Sequence, residues 1–139
     1  MTKVLLSIVF SLAAFAAQAA SLDVSGAWLR LLPGGLPAAG YFTLHNATGK
    51  TVVLTGADSA GCREIMLHLS STGGGMTQMN DVQTVPVAPG KDLVFAPGGY
   101  HLMCMTPSMT IGAHVPVTLH FSGGATLSAS FAVRGATGR

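Results

Sequence analysis

The sequence predicts an all-β domain of the sandwich or barrel type. Short apolar stretches alternate with Gly, Pro, Asn and Ser along the 139 residues, and 18 of these residues are Gly. Many short strands separated by turn residues are typical of β-sandwiches and barrels. Beyond the first 20 residues, no segment shows the apolar period of an amphipathic helix. We therefore expect strands throughout.

The N-terminal segment has the features of a cleavable secretory signal. Lys3 is followed by an unbroken apolar run from Val4 to Ala17 and then by the small-residue site Ala17-Gln18-Ala19. A basic start, a short apolar run and an A-x-A site define such signals. The run is shorter than the roughly 20 apolar residues of a membrane span, and no later segment supplies one. We expect residues 1–19 to be removed and residues 20–139 to form one exported domain without a membrane span.

Composition limits the classes of partner. The formal net charge is +2, and one of the basic residues, Lys3, lies within the expected signal. This near balance supplies neither the basic stripe of a nucleic-acid-binding surface nor an acidic tail. The serines show no nucleophile–base–acid arrangement, and the acidic residues lie apart rather than as a catalytic pair. We therefore expect no nucleic-acid partner and no enzymatic activity.

Nine segments have the composition of strands. In the last two, apolar residues alternate with polar or small ones, so one face lies in the core and the other faces solvent. His120 falls on the solvent face of this pattern. The predicted strands are Val24–Arg30, Gly40–His45, Val52–Ala57, Arg63–Leu69, Met76–Met79, Asp92–Phe95, Tyr100–Met105, Val115–Phe121 and Thr126–Val133.

Two of these strands place His and Met on the face opposite to the core. Along residues 63–69 and 100–105, core-type residues alternate with His and Met, so the two kinds of side chain fall on opposite faces. The expected core positions are Ile65, Leu67, Leu69, Tyr100, Leu102 and Cys104. The expected outer positions are Glu64, Met66, His68, His101, Met103 and Met105. Between the two strands, Gly74 and Gly75 precede two further methionines, Met76 and Met79.

A set of thioethers and imidazoles on one outer face has the chemistry of a copper site. A single Met usually fills a gap in a core, but several on a non-core face beside two His have no packing role there. Thioether sulfur is soft and uncharged and favours Cu(I), and neutral imidazole also binds copper. Structural zinc sites instead use thiolate, imidazole and carboxylate. The pattern predicts a Cu(I) site.

The spacing of four of these residues resembles a known family. His68, Met79, His101 and Met103 follow the pattern His-x10-Met-x21-His-x-Met, which is similar to that of the periplasmic copper chaperones called the PCuAC family. The segment Ala27-Trp28-Leu29-Arg30 and the segment Gly40-Tyr41-Phe42-Thr43-Leu44-His45-Asn46 resemble the opening strands of the family. Residues 97–103 resemble its metal loop. The resemblance covers essentially the whole expected mature chain.

The resemblance implies a fold, a site and a role. The fold would be a cupredoxin-like β-sandwich with antiparallel, Greek-key strands. One Cu(I) ion would be held by His68, Met79, His101 and Met103, with no catalytic residues. The protein would carry copper in the periplasm to an acceptor protein, such as a cytochrome c oxidase subunit or another copper chaperone. Some members add Cu(II) sites on a His- and Met-rich C-terminal tail, which residues 135–139 do not resemble, so a second site is left open.

Cys104 has three interpretations. It could be a buried core residue, it could pair with Cys62 in the oxidising compartment that export implies, or it could bind copper. Pairing requires Cys62 to precede the regular part of its strand, because alternation would otherwise place it on the face of His68. The third interpretation gives a blue-copper electron-transfer protein, with one Cys thiolate, two His and an axial Met. Against the blue-copper interpretation, His114 follows Cys104 at a long interval and no Met comes after His114.

A third class of protein is a β-sandwich interaction module without metal, which would leave the His and Met spacing unexplained. The histidines outside the pattern are expected to be ordinary surface residues. They are His45, His114 and His120. Trp28 and Arg30 are expected to be structural, with Trp28 as a core anchor.

Overall fold

The computed structural model describes residues 21–139 and confirms the all-β prediction. Within this part of the chain there are ten strands and one short 3-10 turn, Pro33–Gly35. The strands are β1 (Leu22–Arg30), β2 (Ala38–Asn46), β3 (Val52–Asp58), β4 (Glu64–Gly73), β5 (Met76–Asp81), β6 (Val85–Val87), β7 (Asp92–Phe95), β8 (Tyr100–Met105), β9 (His114–Phe121) and β10 (Thr126–Arg134). The signal expected at residues 1–19 lies outside the described residues. Between residues 21 and 139, no helix is long and apolar enough to cross a membrane.

All nine predicted strands occur, and a tenth, β6, was missed. This strand has only three residues, with Pro86 at its centre. Proline within an apolar run argues against a central strand because it lacks an N–H donor. Strand β6 instead lies at one edge of the sheet, paired on one side with β3. An edge position tolerates the missing donor.

The strands form one mixed sheet that closes on itself. Their order is β5-β4-β8-β7-β2-β1-β10-β9-β3-β6, with further pairings of β8 to β2 and of β4 to β3. Most neighbours are antiparallel, but β1 pairs with β10 and β7 pairs with β8 in parallel. The β3–β4 contact, Ala57 opposite Ile65, joins the strands that lie next to the two ends of the order. The interior between the packed layers holds the core.

The alternation predicted for β4 and β8 is present in the middle of both strands, whereas two of the predicted core positions, Leu69 and Tyr100, are only partly buried. Ile65, Leu67, Leu102 and Cys104 are buried in the core cluster. Strand β2 lies against β8 at Gly40, where a Cβ atom would stand 3.0 Å from Leu102 Cβ. Glycine at this position therefore allows the close approach of the two strands. This contact packs β8 directly against β2.

The prediction that Trp28 anchors the core is wrong. Its neighbour Leu29 is fully buried, whereas Trp28 points to the opposite face. There its ring lies 4.9 Å from that of Tyr41, which is its partner in the β1–β2 register. The glycine-containing bulge between Ser25 and Trp28, where Gly26 has a φ of 60°, shifts the register before the indole. A large aromatic residue is no guide to the face it occupies when a bulge precedes it.

The two cysteines form a disulfide, so the pairing interpretation is the one that holds. The Cα atoms of Cys62 and Cys104 are 5.3 Å apart, and both side chains are buried. Strand β4 begins at Glu64, so Cys62 precedes the regular alternation and is free to turn inward. Cys104 is buried as expected but is not a free thiol, and the interpretation of it as a copper thiolate is wrong because its sulfur is already bonded.

Candidate metal centre

The antiparallel pairing of β4 and β8 brings the two predicted His ligands together. In the register of this pair, His68 lies directly opposite His101 and Met66 lies directly opposite Met103. The two imidazole rings are 5.5 Å apart and nearly perpendicular, at 82°. Opposed residues of an antiparallel pair share one face. The four side chains therefore form a compact His and Met patch on the face away from the core.

A backbone carbonyl selects the tautomer of the neutral His101 ring. Its Nδ1 lies 3.1 Å from the oxygen of Gly99 and donates a hydrogen bond to it. The preceding turn, with Gly98 at a φ of 84°, directs this carbonyl toward the ring. The second nitrogen, Nε2, is buried and has no hydrogen-bond partner. A neutral ring that donates from Nδ1 presents the lone pair of Nε2, which is the form that binds a metal.

His101 is more buried than strand alternation alone indicates. It faces away from the core, yet the residue is only 4% exposed, because β8 is an inner strand with neighbours on both sides. Burial lowers the pKa of His101 below its ordinary value, and the hydrogen bond to Gly99 offsets part of this effect. The ring therefore stays neutral, and able to bind a metal, further into the acid range than a free histidine.

His68, unlike His101, has no hydrogen bond at either ring nitrogen. Both its nitrogens are buried. The carboxylate oxygen Oδ1 of Asp81, the partner of His68 in the β4–β5 register, lies 2.8 Å from Nε2. Nε2 forms no hydrogen bond with this oxygen, so the pair is a close polar contact. Asp81 was missed by the sequence analysis, although its position two residues after Met79 places it on the same face of β5.

The methionines lie beside the histidines on a shared cavity. This cavity has a volume of about 370 Å³, and its wall includes Met79, His101 and Met103. Met79 lies opposite Ser70 in the β4–β5 register and is 59% exposed, because β5 is the other edge strand. His68 does not line the cavity but lies against His101. The structure thus places three of the four predicted ligands around one space and the fourth next to it.

The remaining histidines lie elsewhere, as expected of surface residues. His45 Nδ1 lies 2.5 Å from Asp92, and His120 contacts Asp58, with both histidine side chains more than two-fifths exposed. His114 is exposed at the start of β9. Within residues 21–139, no three side chains of the His, Cys, Asp and Glu types come together as a metal site. A metal at the His68–His101 pair would therefore depend on the thioethers.

The centre contains an unusual concentration of unpaired polar atoms. Three imidazole nitrogens, two on His68 and one on His101, are buried without a hydrogen bond. A buried group without a partner costs about 1–3 kcal/mol. In a native protein, buried polar atoms without a partner call for an explanation, and a bound ion or water is one. The donor set, two imidazoles beside neutral sulfurs, suits a soft monovalent metal ion.

Known proteins match both the sequence and the fold. A model of the family described as "Putative lipoprotein LpqE-like" matches residues 22–133. The "Putative lipoprotein Lxx21020" of Leifsonia xyli subsp. xyli is 31% identical over 124 residues, which cover 87% of this chain and 74% of that protein.

Solved structures share the architecture. The Cu(I)-bound solution structure of DR1885 from Deinococcus radiodurans has a TM-score of 0.61 and 28% identity, covering 87% of this chain and 81% of that one. The copper-bound PCuAC domain from PmoF2 has a TM-score of 0.68 and 23% identity, covering 84% of this chain and 96% of that one. The chain belongs to the LpqE-like family and has the cupredoxin-like fold of PCuAC domains.

Proposed function

We propose that the protein is an extracytoplasmic Cu(I) carrier that holds one ion with His68, Met79, His101 and Met103. The observation that supports this most is the opposed pair of imidazoles beside two thioethers: Nε2 of His101 and both ring nitrogens of His68 are buried without a hydrogen bond. The Cu(I)-bound state of the similar protein DR1885 is independent support.

The donor set matches the demands of a carrier. Two neutral imidazoles and two neutral thioethers bind Cu(I) without adding negative charge, so the bound ion retains its own charge. Thioethers dissociate more readily than thiolates. Copper held in this way can therefore pass to a partner by stepwise exchange of ligands at an accessible site.

The exposure of the ligands indicates the order of exchange. Met79 is 59% exposed on edge strand β5, whereas His101 is 4% exposed. Met79 is therefore the ligand that an acceptor can replace first, with Met103 next. Met66, directly opposite Met103, can hold the ion during transfer. Met76 lies on the other side of β5 from Met79, because the two are an odd number of positions apart, and does not share this role.

The place of action follows from the export features. The signal expected at residues 1–19, the disulfide and the lipoprotein description of the family all favour a location outside the cytoplasm. We assign the protein to the periplasm. Its acceptor would be a cuproprotein there, such as a cytochrome c oxidase subunit or another copper chaperone. Two of the similar solved structures, the PmoF2 domain and DR1885, are copper-bound, in agreement with a copper-binding role.

The direct test is metal loading of the purified mature protein. We expect one Cu(I) per chain, measured by competition with a chromophoric Cu(I) chelator. Thioether and imidazole ligands give no intense thiolate charge-transfer band, so Cu(II) loading should give no strong blue colour. A strong blue colour that is lost in Cys104→Ala would contradict the carrier and favour an electron-transfer protein.

The contact between Asp81 and His68 leads to a further prediction. Asp81→Ala should weaken Cu(I) binding by about 10–100-fold, because loss of a carboxylate that contacts a ligand imidazole typically has that effect. Asp81→Asn keeps an oxygen beside the ring and should lose less. Asp58→Ala is the matched control, since it removes a carboxylate from His120 at a distant exposed pair. Equal Cu(I) affinities for Asp81→Ala and the parent would show that Asp81 has no part in the site.

A further inference from the structure

A single guanidinium group lines the cavity beside the proposed copper ligands. Arg30 is the partner of Ala39 in the β1–β2 register, and Ala39 is in turn the partner of Met103 on β8. Arg30 therefore shares the face of the copper ligands, and it forms part of the wall that contains Met79, His101 and Met103. From the sequence alone, only a structural role is expected for Arg30.

Two aromatic rings hold this guanidinium in place. Its central carbon lies 5.6 Å from the centre of the Trp28 ring and 5.2 Å from that of Tyr41. Such contacts fix the orientation of a cation but leave its hydrogen-bond donors free. The Nε atom of Arg30 is buried and has no hydrogen-bond partner.

Among residues 21–139, no acidic side chain lies in an ion pair with Arg30. Of the five acidic residues of the chain, three lie against histidines, and within residues 21–139 none forms an ion pair with Arg30. The other polar groups on the cavity wall are hydroxyls and the imidazole of His101. The hydroxyl residues are Tyr41, Ser70, Thr72 and Thr77. Burial raises the pKa of Tyr41, with a smaller opposite effect from Arg30, so its phenol remains a neutral donor.

Arg134 contacts the same Trp28 ring as Arg30 but lies outside the cavity. Its guanidinium carbon lies 5.2 Å from the centre of the same Trp28 ring. It is exposed to solvent and does not line the cavity. Water therefore satisfies its donors. The half-buried Arg30, by contrast, presents a cation to a half-open cavity lined by hydroxyl groups.

We infer that the cavity binds a carboxylate group at Arg30, next to the proposed copper ligands. The planar fork of a guanidinium matches the two oxygens of a carboxylate, and such charge-assisted pairs are strong where water is partly excluded. The hydroxyl groups of the wall can donate to the same oxygens. The carboxylate can come from a small free acid or from an acidic side chain that a copper acceptor inserts.

The inference rests on the proposed function only for its biological meaning, since the binding itself requires no copper. Trp28 is the one tryptophan of the chain and contacts Arg30, so its fluorescence reports on the cavity. Copper-free protein would be titrated with acetate at constant ionic strength, with chloride as the reference anion. We expect a saturable change in Trp28 emission with acetate and none with chloride.

Substitutions of the two arginines test whether the change in Trp28 emission comes from acetate bound at Arg30. Arg30→Gln should weaken acetate binding by about tenfold or more, since a hydrogen bond to a charged group is lost. Arg30→Lys keeps the charge without the fork and should retain part of the affinity. Arg134→Gln is the matched control and should bind acetate as the parent does, because it alters the same indole from outside the cavity.

A second measurement covers the case in which Arg30→Gln does not fold. The Nε–H resonance of Arg30 in the parent protein should shift on acetate addition. A peptide with one central Asp distinguishes the two sources of the carboxylate, with its Asn counterpart as the control that lacks the carboxylate. Tighter binding of the Asp peptide than of acetate identifies an acceptor side chain as the source. Tighter binding of acetate identifies a small acid. Absence of both the emission change and the shift would overturn the inference, as would an equal loss of the emission change in Arg134→Gln. Neither result depends on whether Cu(I) binds.

Discussion

His101→Ala should lower the Cu(I) affinity of the protein by about 100-fold or more. Loss of a group that merely orients a ligand already costs about 10–100-fold, and here the ligand itself is removed. His101 is also the ligand whose Nε2 lone pair is prepared by the Nδ1 hydrogen bond to Gly99. Affinity would be measured by competition with a Cu(I) chelator. His68→Ala should act in the same direction.

The pH dependence of binding separates the imidazoles from the thioethers. Only the imidazoles compete with protons near neutral pH, with an ordinary pKa of about 6.5. Protonation removes the lone pair that binds copper, so affinity should be constant above that range and fall as the pH decreases through it. Because burial lowers the pKa of His101, its share of the fall should come at a lower pH than for a free histidine.

The variants should divide into three groups in this experiment. Loss of either proposed His ligand should weaken binding and reduce the proton dependence by one proton. Met79→Ala and Met103→Ala should weaken binding but leave the proton dependence nearly unchanged. The controls His45→Ala, His114→Ala and His120→Ala should change neither quantity. If His68→Ala bound Cu(I) as tightly as the parent, with the same pH dependence, the four-ligand assignment would be wrong.

Removal of the disulfide should lower the free energy of unfolding by about 4 kcal/mol at 25 °C. This is the loop-closure contribution expected for two cysteines that are 42 residues apart in the sequence. Urea unfolding of the copper-free double variant Cys62→Ala/Cys104→Ala, compared with the parent, would measure it. Reductant should destabilise the parent by a similar amount and leave the double variant unchanged. Equal stability of the two oxidised proteins would contradict the expected contribution.

The disulfide should also affect the metal centre. Cys104 lies opposite Ile65 in the same β4–β8 pair that brings His68 opposite His101. A looser pair would hold the two imidazoles less precisely, so the double variant should bind Cu(I) more weakly even under conditions where it remains folded. Unchanged affinity would show that the backbone pairing alone is sufficient to align the two rings.

Several features of the protein follow from its sequence because they depend on neighbouring residues alone. Turn residues between short apolar runs predict the all-β class. The alternation along residues 63–69 predicts that Ile65 and Leu67 lie on one face of their strand and His68 on the other. The spacing of His and Met identifies a set of soft ligands. The assignment of those four residues to copper remains a prediction, although the structure places them close together. Strand β6 escaped notice because Pro86 is unfavourable in most strands but acceptable at an edge.

Other features depend on contacts between residues far apart in the chain, and only the tertiary structure decided them. Pairing of β4 with β8 places His68 against His101 and brings Cys62, just before β4, next to Cys104. The disulfide between the two cysteines removes the thiolate that a blue-copper site would need. The register of β1, β2 and β8 brings Arg30 to the same cavity. A local pattern determines which face a side chain occupies, but the neighbours on that face come from strand order and register, which the long-range packing of the core selects.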